Sequence, residues 1–218
     1  MLLIPVYELT ILKVEVADLE MGFIALGCIA FLFFCLFDLH KLYFVHRIFH
    51  GTFFLGLLLV IAATAGILIQ GEAAFRLSPF LRVLCGVMML GGFAWQFYAL
   101  FWALPFQATY LHGELQSLVI TSGAFALCRH PGVLGFSVLY FFLWLFSGVH
   151  LILLAGVLWT LLDVLHVYIQ DRWLFPRSFP GYGAYRLYTP FLLPNAASLK
   201  LCIDTFREGR WNESGQKA

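Results

Sequence analysis

Residues 132–168 read GVLGFSVLYFFLWLFSGVHLILLAGVLWTLLDVLHVY. Apolar residues run almost unbroken through both halves, and the only Asp, Glu, Lys or Arg in the stretch is Asp163. A helix needs roughly 20 apolar residues to cross the hydrocarbon core of a bilayer. We therefore predict helices over 132–147 and 149–168, and the single Gly148 between them predicts a tight helical hairpin in the membrane.

Three more apolar stretches precede this hairpin, at 21–39, 52–69 and 79–104. The third is long enough to tilt or to bend at Gly91-Gly92. Hydrophobic residues make up 62% of the chain and charged residues 11%, which leaves too little polar surface for a soluble protein of this size. The sequence therefore predicts an all-α polytopic membrane protein with about five transmembrane helices, built as a single domain over residues 1–218.

The polar segments fall between and beyond these helices. Residues 1–20 begin with an apolar strip too short to span and then carry acidic residues, which predicts an interfacial helix. We expect residues 105–131 to form a loop. Residues 169–195 would form a C-terminal segment, and residues 196–218 would form a tail. Of the thirteen Lys and Arg residues, all but Lys13, Arg76 and Arg82 fall on the side of this loop and tail, so we expect the C-terminus and the active site to be cytoplasmic.

Charge and cysteine content exclude several classes of function. The net charge is +1 and no basic patch is present, so a nucleic-acid partner is not expected. The five cysteines are scattered, which argues against a disulfide framework or a cysteine metal site. His46 and His50 have helical spacing, but no acid or thiol nearby completes a metal site. We interpret them as part of a basic cluster near lipid headgroups, and we expect no metal.

The first candidate site is Arg129-His130-Pro131, directly before the fourth apolar stretch. Proline is favoured at the first position of a helix because its missing N–H would have no partner there. Arg129 and His130 would then lie at the positive end of a helix, which suits an anionic ligand group. The simpler alternative is an arginine that extends to the headgroups and a proline that only begins a helix.

The second candidate lies at the end of the fifth apolar stretch. Trp159, Asp163, His166 and Gln170 recur at helical spacing, which places them on one stripe, and Asp171 follows. A charged residue inside a span costs about 2.5–3.5 kcal/mol on insertion scales, so Asp163 should face the bundle interior or a polar cavity. The alternative is a structural Asp163/His166 pair that joins two helices.

The third candidate follows Pro180-Gly181. Tyr182, Tyr185 and Tyr188 are three residues apart and would line one face of a short helix. Phenol rings at the membrane surface could hold a planar ligand, although aromatic residues also serve as interfacial anchors.

The order of these elements resembles the C-terminal half of the isoprenylcysteine carboxyl methyltransferase family. Phospholipid N-methyltransferases and other small integral-membrane methyltransferases share the pattern. The resemblance covers about 118–195 and rests on the run 118–125, Arg129-His130-Pro131 with Gly135, the hairpin, Asp171 and the Pro- and Tyr-containing run 179–194. It implies S-adenosylmethionine at the cytosolic membrane surface, with the segment 169–195 folded over it and a lipophilic acceptor entering from the bilayer.

The resemblance also implies roles for individual residues. Arg129 and Asp171 would be the catalytic pair, with Arg129 available to the carboxylate of the cofactor and Asp171 to its ammonium; His130, Pro131, Tyr182 and Tyr185 would bind the cofactor. The acceptor would be an isoprenylcysteine-like carboxylate, a phospholipid amine or a small thiol. Gln170 stands where the first Glu of an acidic pair is usual, so we hypothesise that Asp163 and His166, beside Gln170, supply the polarity on the acceptor side.

Two other functions fit parts of the sequence. A membrane reductase of the sterol-reductase type has a comparable Pro- and Tyr-containing ending and uses NADPH, but the chain is short and has no additional basic pocket for a 2′-phosphate. A non-enzymatic membrane carrier for a haem, lipid or ion would use the intramembrane Asp163/His166 pair and would not need the missing Glu.

Overall fold

The computed structural model describes residues 6–43, 51–103 and 119–207, with side chains only from residue 19 onward in the first range and up to residue 40. Within these ranges the helices are α1 (Val6–Tyr43), α2 (Gly51–Gln70), α3 (Pro79–Phe97), α4 (Ala124–Leu127), α5 (Pro131–Ser147), α6 (His150–Ile169), α7 (Phe175–Ser178), α8 (Tyr182–Tyr188) and α9 (Ala196–Arg207). Two π-helical turns extend α3 and α6, at Tyr98–Trp102 and Gln170–Leu174.

Four helical stretches are long and apolar enough to cross a membrane: Leu19–His40, Gly51–Gln70, Pro79–Trp102 and His150–Ser178. The prediction of a polytopic α-helical membrane protein is therefore confirmed. The count of five remains a prediction, because α5 has only 17 residues. At 1.5 Å per residue it is about 26 Å long, slightly less than the roughly 30 Å thickness of the hydrocarbon core.

The N-terminal boundary differs from the expected one. The sequence predicts a separate interfacial segment over 1–20, but α1 runs without a break from Val6 to Tyr43. The acidic residues between these positions do not interrupt it, because glutamate is a good helix former and aspartate costs a helix only a fraction of a kcal/mol. Residues 1–5 lie outside the described residues, as do 44–50, which hold the His46/His50 pair, and most of the predicted loop, 104–118.

Glycine allows α3 and α5 to pack closely. A Cβ at Gly92 would lie 2.7 Å from the backbone nitrogen of Leu139, and one at Gly135 would lie 2.8 Å from that of Gln96. Such small residues let two helix backbones approach in a membrane, where burial of apolar surface gives no net drive for association. The Gly91-Gly92 pair therefore lies within a continuous α3, and Gly92 serves the contact between helices.

Trp159 of α6 joins that helix to α1. The side chain is fully buried, and its Nε1 donates a hydrogen bond of 3.1 Å to the carbonyl oxygen of Ile24. The indole packs against Gly27, where a Cβ would overlap the ring. This contact brings the polar stripe of α6 to face the C-terminal half of α1.

The turn between α5 and α6 consists of Gly148 and Val149. Gly148 has φ +77°, and its N–H bonds to the carbonyl of Trp144 at 2.8 Å. Only glycine adopts this left-handed conformation easily. The segment after α2 is fixed to the same turn, because Ala74 N–H donates to Gly148 O at 2.9 Å.

The tail predicted over 196–218 contains a helix that sequence analysis missed. Asn195 caps α9: its Oδ1 accepts from the N–H of Ser198 at 2.8 Å, and its own N–H donates to Ser198 Oγ at 3.0 Å. The helix is tied to the chain before Arg129, where Gly123 N–H donates to Thr205 Oγ1 at 3.0 Å. The C-terminal region thus folds back on the end of the 105–131 loop.

Candidate functional site

Arg129 connects the end of the long loop to the C-terminal segment. Its backbone N–H donates to Pro190 O at 2.9 Å, and its side chain donates to Asp171 through Nε (2.7 Å to Oδ1) and Nη2 (3.3 Å to Oδ2). The two parallel bonds are the bidentate arrangement that a guanidinium and a carboxylate favour. A pair 42 residues apart in sequence therefore becomes one unit.

The remaining Arg129 nitrogen binds the end of α8. Nη1 donates to the carbonyl oxygens of Arg186 at 3.0 Å and Thr189 at 2.7 Å. The last carbonyls of a helix have no partner within the helix and carry partial negative charge, so a cation there is favourable. Arg129 thus holds α8 against the beginning of α5.

Asp171 is almost completely buried, with 1% of its surface exposed. Besides Arg129, Tyr182 Oη donates to its Oδ1 at 2.7 Å, and Arg186 Nε lies 3.5 Å from Oδ2. An ion removed from water needs such complete pairing to offset its desolvation. We refer to Arg129, Asp171, Tyr182 and Arg186 as the arginine–aspartate cluster.

The three tyrosines do not share one face, contrary to the sequence prediction. Tyr182 and Tyr185 are buried, whereas Tyr188 is 83% exposed, because a spacing of three residues drifts around a helix with 3.6 residues per turn. Tyr185 Oη donates to Phe125 O at 2.7 Å. Burial raises the pKa of both buried tyrosines, and for Tyr182 the bond to Asp171 acts in the same direction, so both remain proton donors.

His130 lies beside this cluster with an unsatisfied nitrogen. Its Nε2 is buried, has no hydrogen-bond partner among the described residues, and lies 3.6 Å from Asp171 Oδ1. The ring is stacked on Phe175, with centroids 5.9 Å apart, and meets the edge of Phe191 at 5.1 Å. Burial lowers the pKa of His130 although the nearby carboxylate of Asp171 opposes this, so the imidazole is neutral at physiological pH.

Pro131 begins α5, as its position in the sequence predicts. It is fully buried, and its carbonyl accepts a bond of 2.9 Å from Trp95 Nε1 of α3. Cys128, just before the cluster, is also buried, and burial raises its pKa to about 11. It is therefore a thiol at neutral pH and not a nucleophile.

The polar stripe of α6 meets a residue that sequence analysis missed, Asp38 of α1. Its Oδ2 lies 2.7 Å from His166 Nε2 and accepts a hydrogen bond of 2.6 Å from Gln170 Nε2. Asp163, the other acceptor-side candidate, is half-buried one turn away and has no hydrogen-bond partner among the described residues. A carboxylate within the apolar stretch 21–39 was the signal that could have identified Asp38. We call Asp38, His166 and Gln170 the aspartate–histidine cluster.

The two clusters meet in the π-helical turn Gln170–Leu174. Gln170 belongs to the aspartate–histidine cluster, and the next residue, Asp171, belongs to the arginine–aspartate cluster. Sequence analysis also missed Arg186, Phe175 and Phe191, which complete the surroundings of Asp171 and His130. Short motifs could not have assigned these contacts, because they depend on the return of the chain after α7.

Neither protein-family models nor curated proteins nor solved structures match this chain. Its function must therefore be inferred from the residues and their geometry. Within the described part of the chain, no group of three or more His, Cys, Asp or Glu side chains could hold a metal ion. One cavity, of about 160 Å³, is lined by Arg76, Arg82 and Ser147 at the opposite ends of the helices, away from both clusters.

The fit of a charged cofactor differs from the sequence expectation in one respect. Arg129 and Asp171 were expected to bind opposite ends of the cofactor, but they bind each other and the backbone. Three groups could still bind a ligand. They are the unsatisfied His130 Nε2, the aromatic rings around it, and the guanidinium of Arg186, whose side chain is 26% exposed. A planar base beside His130 and a carboxylate at Arg186 fit this arrangement.

Proposed function

We propose that this protein transfers a methyl group from S-adenosylmethionine to a lipophilic acceptor at the membrane surface. The observation that carries the proposal is the assembly of the ordered motif: Arg129, Asp171 and Tyr182 converge in one hydrogen-bonded cluster next to His130. These residues are separated by up to 53 positions in the sequence, and membrane packing alone does not require them to meet.

Methyl transfer makes modest demands on a protein. S-Adenosylmethionine, when bound, supplies an electrophilic methyl group, and the protein has to align the acceptor with it and to exclude water. In this proposal His130, Phe175 and Phe191 bind the base, and Arg186 binds the carboxylate. Arg129 and Asp171 act as positioning residues that hold the segment 169–195 in place.

Binding of S-adenosylhomocysteine to purified protein in detergent tests the proposal. We expect saturable binding by calorimetry, weakened about tenfold, or 1.4 kcal/mol, in both His130→Phe and Arg186→Gln. His130→Phe keeps the aromatic packing and removes only the ring nitrogens. Arg129→Ala should abolish binding together with the fold of the C-terminal segment.

Tyr188→Phe is the matched control, because that side chain is exposed and lies on the same short helix as Tyr182. It should bind S-adenosylhomocysteine as the unaltered protein does. Absence of saturable binding to the unaltered protein, or binding of NADPH in its place, would contradict the proposal.

One observation favours a second candidate, a non-enzymatic membrane carrier. The charges of Arg129 and Asp171 satisfy each other, as they would in a purely structural clamp, and Asp163 remains available to a ligand within the bilayer. Incubating membranes with radiolabelled S-adenosylmethionine separates the two functions. A labelled lipophilic product supports the methyltransferase, and its absence supports the carrier.

A further inference from the structure

The aspartate–histidine cluster holds an imidazole in a fixed orientation. His166 Nε2 is 2.7 Å from Asp38 Oδ2, and its ring is stacked on Phe34 with centroids 6.3 Å apart and 19° between the planes. An ionised carboxylate can only accept a hydrogen bond, so Nε2 carries the proton in this pair. Nδ1 then holds a lone pair, and none of the described residues forms a hydrogen bond to it.

A structural role alone does not account for these residues. Other contacts between the helices use neutral groups, such as Trp159 Nε1 to Ile24 O and Thr64 Oγ1 to Tyr140 Oη at 2.6 Å. A buried ion pair is often no more stabilising than apolar packing of the same volume, and charged groups in a span are expensive. The side chains of His166 and Asp38 also retain 12% and 14% exposure, unlike Asp171 with 2%.

The position of the cluster connects it with methyl transfer. Gln170 hydrogen-bonds to Asp38, and the adjacent Asp171 belongs to the arginine–aspartate cluster. His166 lies one turn before Gln170 on α6, further into the membrane span His150–Ser178. The imidazole of His166 thus lies on the bilayer side of the residues proposed to bind the cofactor, where a substrate from the membrane would approach.

We propose that His166, oriented by Asp38, takes a proton from the acceptor as it is methylated; this inference rests on the proposed function. The acceptor atom forms a bond to the methyl carbon, the bond from that carbon to the sulfonium sulfur breaks with its electron pair going to sulfur, and the acceptor proton goes to His166 Nδ1. Asp38 stabilises the resulting imidazolium, and the proton leaves to water at the membrane surface.

This assignment narrows the class of acceptor. A group that must lose a proton on methylation is a thiol, a hydroxyl or an amine. A carboxylate has no proton to lose, and Asp38 and Asp163 would repel it in a region of low dielectric constant. The acceptor is therefore a lipophilic molecule with an S–H, O–H or N–H group, and an isoprenylcysteine-like carboxylate is excluded.

Two measurements on the full chain in detergent test this inference. The first is accessibility: diethyl pyrocarbonate should modify His166 in the folded protein, as detected by peptide mass spectrometry. The second is methyl transfer from labelled S-adenosylmethionine to dodecanethiol, dodecylamine and dodecanoic acid. We expect transfer to the thiol or the amine and none to the acid.

Variants separate a proton acceptor from a structural contact. His166→Gln keeps a donor towards Asp38 but cannot take up the proton, so kcat should fall about 100-fold or more. Its KM and its affinity for S-adenosylhomocysteine should stay within twofold of the unaltered protein. Asp38→Asn should lower kcat less, and Tyr140→Phe, which removes a different interhelical hydrogen bond, should leave kcat unchanged.

Several outcomes would overturn the inference alone: an unmodified His166, methylation of dodecanoic acid, or an unchanged kcat in His166→Gln while S-adenosylhomocysteine still binds. If His166→Gln fails to fold, the modification of His166 in the unaltered protein and the kcat of Asp38→Asn decide the question. Failure of the unaltered protein to bind S-adenosylhomocysteine overturns the proposed function, and this inference with it.

Discussion

The two polar clusters use the same chemistry in opposite ways. Both clusters pair a carboxylate with a nitrogen base near the end of α6, a guanidinium in one and an imidazole in the other. In the arginine–aspartate cluster the donors of Arg129 go to Asp171 and to backbone carbonyls, and the Asp171 side chain is only 2% exposed. In the aspartate–histidine cluster Asp38 Oδ2 accepts both hydrogen bonds, and His166 Nδ1 has no hydrogen bond to a described residue. We call the first pair saturated, because its polar groups all have hydrogen-bond partners, and the second unsaturated. A saturated pair holds segments together, whereas an unsaturated pair has a group that can still bind a ligand.

The largest effect should come from breaking the saturated pair. Asp171→Ala leaves the Arg129 guanidinium buried without its counterion, which typically costs about 3–5 kcal/mol. We expect a loss of this size in the free energy of unfolding, measured with denaturant in detergent. Asp204→Ala provides the control, because Asp204 on α9 forms no ion pair with any described residue. Equal stability of Asp171→Ala and Asp204→Ala would contradict the prediction.

Removal of Asp38 should be less costly. Asp38→Ala loses two hydrogen bonds, but it leaves no buried ion without a counterion, because the imidazole of His166 is uncharged and 12% exposed. A loss of about 2 kcal/mol is therefore expected. The same unfolding measurement gives this value. If Asp38→Ala destabilises the protein more than Asp171→Ala does, the distinction between a holding cluster and a ligand-binding cluster is wrong.

Loss of one hydroxyl from the saturated cluster should have a smaller effect still. Tyr182→Phe removes a hydrogen bond to a charged group at 2.7 Å, and about 1.5 kcal/mol of stability should be lost. Tyr188→Phe alters an exposed residue on the same helix and should change stability by less than about 0.5 kcal/mol. Thermal unfolding of the two variants measures this difference, and equal melting temperatures would refute the prediction.

The smallest effect is expected at the cap of α9. Asn195→Ala removes the side-chain bond to the N–H of Ser198, which should cost about 1 kcal/mol. Hydrogen exchange should increase in α9 and leave α5 and α6 unchanged, because the cap's hydrogen bonds join Asn195 only to the first turn of α9, where Ser198 lies. Asn195→Asp, which preserves the cap, should exchange like the unaltered protein, and an effect spread over all helices would contradict a local role.

Hydropathy predicted the membrane helices well because a helix that spans the bilayer must be apolar over about 20 consecutive residues. The predicted 52–69, 132–147 and 149–168 differ by one residue at most from the ends of α2, α5 and α6. The interfacial role of residues 1–20 stays a prediction. Hydropathy did not show that this segment continues into the first span as one helix. Helix α9 was missed although Asn195 and Ser198 have the spacing of a cap, because its exposed face is mixed and the segment looked like a polar tail.

The sequence singled out some residues of the candidate site, but it did not predict their pairing. Proline at the start of α5 and a carboxylate inside a span are local signals, and they point to Arg129 and Asp163. The role of Asp171 was instead an implication of the family resemblance. The partner of each residue depends on how helices cross and where the chain returns. For this reason sequence analysis assigned Arg129 and Asp171 to a ligand, whereas they bind each other, and it did not consider Asp38 as the partner of His166.

The π-helical turn Gln170–Leu174 has an evolutionary and engineering consequence. Such a turn is equivalent to a one-residue insertion in an α-helix. It changes the direction in which all later side chains point around the helix axis, without altering the span before it. Deleting the exposed Arg172 would restore regular winding and rotate α7 by about 100° relative to α6. Phe175 would then leave the ring of His130, so a single deletion could uncouple the C-terminal segment from an otherwise intact membrane bundle.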